Sequence, residues 1–199
     1  MQKKTTPIAG DRKKWYEQPG ICVRAKNPFV IDGKEVTMLM TGGRTVTIDI
    51  GDFPLAAQYR WSSDCGYPQT AIRVDGRQVK MRLHRLLLDA PDGKVVDHRD
   101  GDPGNCRRTN LRICTQRENV YNTRRTSQNT TGWKGVQRHK ASATYFVQIK
   151  MRGIQHRVGK FDTPEEAARG YDFLARSFFG QFARLNFQDN EEEPPANAE

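Results

Sequence analysis

Residues 96–119 constrain this chain more than any other stretch, because they demand strand, tight loop, strand and helix start in close succession. Val95 and Val96 on one side of a polar loop, and Leu111 and Ile113 on the other, are β-compatible side chains. Between them, Asp100-Gly-Asp-Pro-Gly-Asn105 is turn chemistry. Its Gly, Pro and Asn each supply a backbone state or local hydrogen bond that bends the chain. Thr115-Gln-Arg-Glu118 then fits a capping box, the threonine hydroxyl taking a free backbone N–H and the glutamate reaching back. A helix from about Gln116 carries Asn119 near its first turn, with Asn122 three residues on along the same face. The expectation is a small ββα unit.

Such a unit, with these polar residues, can hold a divalent metal against a phosphate. Asp97 offers a hard carboxylate oxygen and Asn119 an amide carbonyl oxygen. Oxygen-only ligation by few protein groups suits Mg²⁺ or Mn²⁺, which keep several waters and take phosphate oxygens as well. His98 is the natural general base, since an imidazole with a pKa near 6.5 is largely neutral at pH 7 and can take a proton from water. Adjacent strand residues point to opposite faces, so Asp97 and His98 share one centre only if the strand ends or twists there. Two other metal chemistries fit poorly. Twelve-residue calcium loops begun at Asp97 or Asp100 would end at Arg108 or Leu111, neither of which is the bidentate Glu required. Cys106 and Cys114 lack the paired knuckles of a zinc site.

The phrases VDHRDGDPGNCRRTNLR and TQRENVYN resemble the HNH endonucleases, in the branch found in phage homing enzymes. His98, Asn110 and Asn119 match the three motif positions, with Asn at the third as is usual for that branch. The resemblance implies Asp97 and Asn119 as metal ligands, His98 as base, and Asn110 as the residue whose amide ties the two strands together. It also points to a phage or mobile-element homing enzyme acting in the cytoplasm of a host cell.

The formal charge of +10 is unevenly spread. The last eleven residues hold five acids and no Lys or Arg, so the remaining 188 hold 33 basic against 18 acidic side chains. From Asn105 to Arg138 there are eight Lys or Arg and a single acid, Glu118. A basic stretch beside a phosphate-directed site is the electrostatic footprint of nucleic-acid binding. Arg107, Arg108, Arg124 and Arg125 are the candidates for holding the DNA backbone. There is no apolar run near the length of a membrane span, and the basic N-terminus lacks the apolar core of a signal peptide. Four cysteines without a disulfide framework read as reduced thiols in a cytosolic protein.

Taken in order, residues 1–20 read as a basic arm. From Val36 to Leu88 the pattern is strand-rich. Thr45-Val-Thr-Ile-Asp-Ile alternates with period two, Asp52 to Tyr59 suits a short helix with Pro54 in its first turn, and Asp75-Gly76 suits a tight hairpin. Tyr59-Arg-Trp61 and Gln69–Val74 read as a strand pair, followed by a strand or helix through Leu88. This segment, with RW, GY and LHRLLL, resembles the N-terminal part of the same nucleases, which makes Trp61, Tyr67, Leu83 and Leu86 core candidates. His84 has two readings: an accessory residue orienting the scissile phosphate, with Asn122 as another accessory candidate, or a structural histidine. The domain so outlined runs over 36–126, its ββα core over 94–126, and 122–132 reads as a linker.

Residues 129–187 read as a second unit of three strands and a helix. The strands are placed at Gly135–His139, Tyr145–Lys150 and Ile154–Val158. The helix is capped by Thr163, Pro164 and Glu166 and carries a stripe of Ala167, Ala168, Tyr171, Leu174, Ala175 and Phe178. The phrases GWKGVQRH, VGKFDTPEEAARGYD and FGQFARLNF resemble an AP2 DNA-binding domain. The resemblance implies a three-stranded antiparallel sheet backed by one helix, its free face in the major groove of double-stranded DNA. Lys134, Gln137, His139, Gln148, Lys150 and Arg157 stand at the matching reading positions, while Arg138 faces the other way in this reading. The acidic tail, 188–199, is expected to be disordered. The whole is expected to be an α+β chain: a metal-dependent DNA endonuclease, monomeric and therefore nicking, targeted by the AP2-like unit. A non-catalytic, transcription-regulatory DNA-binding protein is the alternative.

Overall fold

The computed structural model describes residues 26–74, 76–125 and 128–187, so the expected basic arm, Asp75 of the expected hairpin and the acidic tail lie outside the described residues. The chain has several small antiparallel sheets and few helices. It divides into two compact units between Asn119 and Val120.

The first unit begins with a three-stranded sheet, β1 (Phe29–Asp32), β2 (Glu35–Leu39) and β3 (Thr45–Asp49), in that order. Period-two patterning does what it should. Val36 and Met38 of β2, and Val46 and Ile48 of β3, are buried, while alternate residues are more exposed. A single turn, α1 (Phe53–Ala56), carries Pro54 at its start, where a missing N–H costs nothing. Trp61 is wholly buried, and its indole N–H donates to the Ala56 carbonyl. Asn27 pins the same tryptophan by accepting from its backbone N–H and donating to its carbonyl.

β4 (Ser62–Asp64), β5 (Tyr67–Val74) and β6 (Arg77–Arg82) form a second antiparallel sheet. The strand expected at Tyr59–Trp61 begins only at Ser62, because the Trp61 N–H is taken by Asn27 and its carbonyl by Asn27 and the Thr41 N–H. α2 (Leu83–Leu88) follows, burying Leu83, His84 and Leu87 on one face. Next come the two-stranded sheet β7 (Val95–His98) and β8 (Leu111–Cys114), and then α3 (Gln116–Tyr121). The Thr115–Glu118 box is present: Glu118 N–H donates to Thr115 Oγ1 at 3.2 Å and Thr115 N–H to Glu118 Oε2 at 2.7 Å.

The second unit holds β9 (Val136–Arg138), β10 (Tyr145–Met151) and β11 (Ile154–Phe161) as an antiparallel sheet with β10 central, and the 16-residue α4 (Pro164–Phe179) packed on it. Val136, Val147 and Ile149 of the sheet meet Ala167, Ala168, Tyr171 and Ala175 of the helix. Gly135 is required where it stands: its φ is +73°, and a Cβ there would lie 2.0 Å from the Tyr171 ring. The apolar stripe ends differently from expectation. Phe178 is exposed and Phe179 is buried, stacked on Tyr121 at 3.9 Å. Asp172, at 4 % exposure, accepts from the backbone N–H groups of Asn186 and Phe187 and fastens the C-terminal segment.

Thr163 caps α4 with a complete box. Thr163→Ala is expected to cost about 1 kcal/mol, read from urea unfolding, with Thr163→Ser close to wild type.

Candidate functional site

β7 ends at His98, so the pair expected to share one centre stands at the last two residues of the strand. Asp97 and His98 are both 5 % exposed but enter different surroundings. Asp97 lies opposite Arg112 of β8, whose Nε and Nη2 both donate to Asp97 Oδ2 at 2.7 and 2.6 Å. His98 enters a cluster of rings. Its centroid is 5.1 Å from His84 and 5.9 Å from Tyr67, with Tyr67 also 5.7 Å from His84, all three pairs edge-on. Cys106 Sγ sits 3.7 Å from His98 Nε2.

Burial lowers the pKa of His98 below its ordinary value, against the opposing pull of Asp100, Asp97 and Asp102. The imidazole is therefore neutral at pH 7, the form a proton acceptor needs. His84 is pushed further, to about 3, by burial first and then by His98, Arg82 and Arg85. Its Nδ1 is buried with no hydrogen-bond partner. Cys106 is raised to about 12 by burial, so it stays a thiol.

The loop after His98 is held by amides. Asn110 Oδ1 accepts from the Asp100 N–H at 3.0 Å, and Asn110 Nδ2 donates to Asp100 Oδ1 at 2.9 Å and to the Asn105 carbonyl at 2.8 Å. Burial opposes ionisation of Asp100, but hydrogen bonds from the Asp102 N–H, Asn105 and Asn110 outweigh it and hold the carboxyl below its usual range. Asn110→Ala is expected to cost about 2 kcal/mol, because these part-buried groups lose partners. Thermal unfolding checks it.

The first sheet fixes the far side of the loop. Thr47 of β3 donates its N–H to the Gly104 carbonyl and accepts from the Cys106 N–H, each at 2.8 Å. Arg107 pairs with Glu35, and Arg108 with Asp52 and the Leu87 carbonyl, while the Arg108 N–H donates to Asp49. Two of the four arginines expected to hold DNA thus carry internal ion pairs. Arg124 and Arg125 are exposed, and Arg125 Nη1 donates to the Gly132 carbonyl. A polar cavity of about 590 Å³ opens along the loop, and exposed Arg44 lies on its wall.

Asn119 sits in the first turn of α3, half-buried, and Asn122 is 7 % exposed. As donors, Asp97 and Asn119 give one carboxylate and one amide oxygen, a set that fits a hard divalent cation. Among the described residues there is no group of three or more His, Cys, Asp or Glu able to hold a metal.

In the second unit Gln137, Gln148, Lys150 and Arg157 lie on the sheet. His139 follows β9 and is exposed. Lys134 differs: its ammonium is half-buried, donates to the Tyr121 carbonyl at 2.7 Å, and has a pKa lowered to about 8 by burial and then Arg184. Arg112 and Phe146 were not singled out by the sequence reading. Each depends on cross-strand or ring contacts that only the register reveals.

The family described as HNH endonuclease matches residues 89–121. The chain is 29 % identical over 167 residues to "Uncharacterized HNH endonuclease L560" of Acanthamoeba polyphaga mimivirus, covering 79 % of this chain and 84 % of that protein. It is 35 % identical over 95 residues to "Protein 3.8" of Escherichia phage T7, covering 48 % and 78 % respectively. A plant relative, ethylene-responsive transcription factor ERF084 of Arabidopsis thaliana, is 39 % identical over 122 residues, covering 60 % of this chain and 41 % of its own length. No described helix is long and apolar enough to cross a membrane.

Proposed function

The chain belongs to the HNH endonuclease family, DNA-cleaving hydrolases that generally use a divalent metal, and on that premise we propose that it is a metal-dependent, homing-type enzyme that nicks one strand of duplex DNA. The observation that carries this reading is His98: a buried, neutral imidazole at a strand end, directly after Asp97, with the following loop held by Asn110. His98 takes a proton from water at a ring nitrogen. The water oxygen attacks phosphorus and the P–O bond to the leaving strand breaks. Asp97 and Asn119 would hold Mg²⁺ or Mn²⁺, which when bound supplies stabilisation of the charge that builds on the phosphate and its leaving oxygen. Arg112 fixes the Asp97 carboxylate, and Asn110 fixes the loop that begins at Arg99. Exposed Arg44, Arg124 and Arg125 are the cations for backbone phosphates. Arg107 and Arg108 shape the loop through their internal pairs.

The second unit acts as the targeting module, an AP2-like sheet laid in the major groove. The plant relative and a strand region rich in Lys, Arg and His support this. With one site per chain, a monomer would cut one strand at a time.

The test is incubation of supercoiled plasmids carrying genomic fragments with Mg²⁺ or Mn²⁺, with and without a chelator. Nicked circles that require the metal are expected. Tight duplex binding in a gel shift, with no nicking under any divalent ion on a plasmid bearing the bound sequence, would replace this reading with that of a DNA-binding regulator.

A further inference from the structure

The outward face of the second unit's sheet has an aromatic ring in its middle. Val147 and Ile149 of β10 are 0 % and 3 % exposed and pack against α4. Strand alternation therefore sends Phe146, Gln148 and Lys150 to the opposite face. The register sets Gln137 of β9 opposite Phe146, and Arg157 of β11 opposite Gln148. The His139 ring lies 4.7 Å from the Phe146 ring at 51°, and the Arg157 guanidinium stands 5.4 Å from its centroid. These neighbours hold the half-buried ring among polar side chains.

The charge on this region narrows the partner. From Lys134 to Phe161 there are seven Lys or Arg, two His and no Asp or Glu, which suits a phosphate-lined groove. Every base edge in the major groove carries polar donors or acceptors, and the one apolar group on offer is the C5 methyl of thymine. A phenylalanine fixed in the centre of a flat face cannot make hydrogen bonds, and a sheet lying in the groove does not bring it between stacked bases. We propose that Phe146, held by His139 and Arg157, is a specificity-determining residue that reads a thymine methyl group in the target duplex. This rests on the reading of the second unit as the targeting module.

The experiment uses the full chain with a chelator present, so that the duplex stays intact. Bound duplexes are selected from a random pool by wild type and by Phe146→Ala. Wild type is expected to select a site with a fixed thymine, and Phe146→Ala to lose the preference at that position alone. Replacing that thymine by deoxyuridine removes only the methyl, and should weaken wild-type binding about three- to fivefold, the scale of one buried methyl group. Phe146→Ala should bind the two duplexes equally.

Equal wild-type affinity for the thymine and deoxyuridine duplexes would overturn the proposal, and that comparison needs no variant to fold. A Gln148→Ala, Lys150→Ala double variant separates the two levels. If it binds as tightly as wild type, the targeting role of the face fails, and this proposal with it. If it weakens while Phe146→Ala selects an unchanged site, only the thymine reading fails.

Discussion

His98→Ala is expected to lower DNA cleavage by about a hundred- to ten-thousand-fold while leaving duplex binding intact. The loss follows from chemistry as well as position. Burial keeps the ring unprotonated at neutral pH, so wild type enters the reaction with its base in the accepting form. His84, the other imidazole of the cluster, is held neutral too, but its Nδ1 has no partner. Alanine also empties space between Tyr67 and His84, so nicking should be measured well below the unfolding temperature. His98→Asn, which keeps a polar side chain of similar reach, should be as inactive as alanine. Single-turnover nicking rates, with gel-shift affinities beside them, are the readout. Nicking by His98→Ala at the wild-type rate would remove His98 from the base role.

The second large effect concerns acid. His84 is neutral in the folded chain down to about pH 3, whereas in the unfolded chain it titrates near 6.5. Above pH 6.5 both states are neutral and the histidine imposes no penalty. As pH falls below 6.5 the unfolded chain takes up a proton that the fold refuses, and stability drops by about 1.4 kcal/mol per pH unit. The window therefore runs from pH 6.5 towards 3, and by pH 5 the loss from His84 alone is about 2 kcal/mol. Burial moves His98 in the same direction, so wild type should fall more steeply than one group requires. His84→Phe keeps a ring in place, removes the orphaned nitrogen and should flatten the slope between pH 7 and 5. Urea unfolding at those two pH values, followed by tryptophan fluorescence, to which the buried Trp61 contributes, measures it. An unchanged slope in His84→Phe would show that the ring cluster does not exclude the proton.

Much of the local structure was legible because it is encoded locally. The boxes at Thr115 and Thr163, Pro54 at the start of α1 and the alternation in β3 each need only a few neighbouring residues, and each is present. What was not legible depends on residues far apart in the chain. Arg112 reads as one more basic residue until the register sets it opposite Asp97, and Arg107 and Arg108 look like phosphate ligands until Glu35 and Asp52 appear beside them. Lys134 likewise reads as a groove contact until its ammonium is seen bonded to the Tyr121 carbonyl. At the end of α4, Phe178 and Phe179 are equivalent in composition, and only the helix's path over the sheet decides which is buried. Charge identity is written in sequence; charge pairing is written in topology.

The clamp between β3 and the loop after His98 bears on how far this nuclease motif can travel. Residues 89–121 carry the family signature, yet Thr47, Asp49, Asp52 and Glu35, which grip Gly104, Cys106, Arg107 and Arg108, all lie upstream of it. Excised and grafted onto another scaffold, the signature would leave those arginines without their carboxylates and the loop without its second strand of support. Recombination that moved this motif between genes would have had to carry the upstream sheet with it, or find a host that already supplied four such anchors.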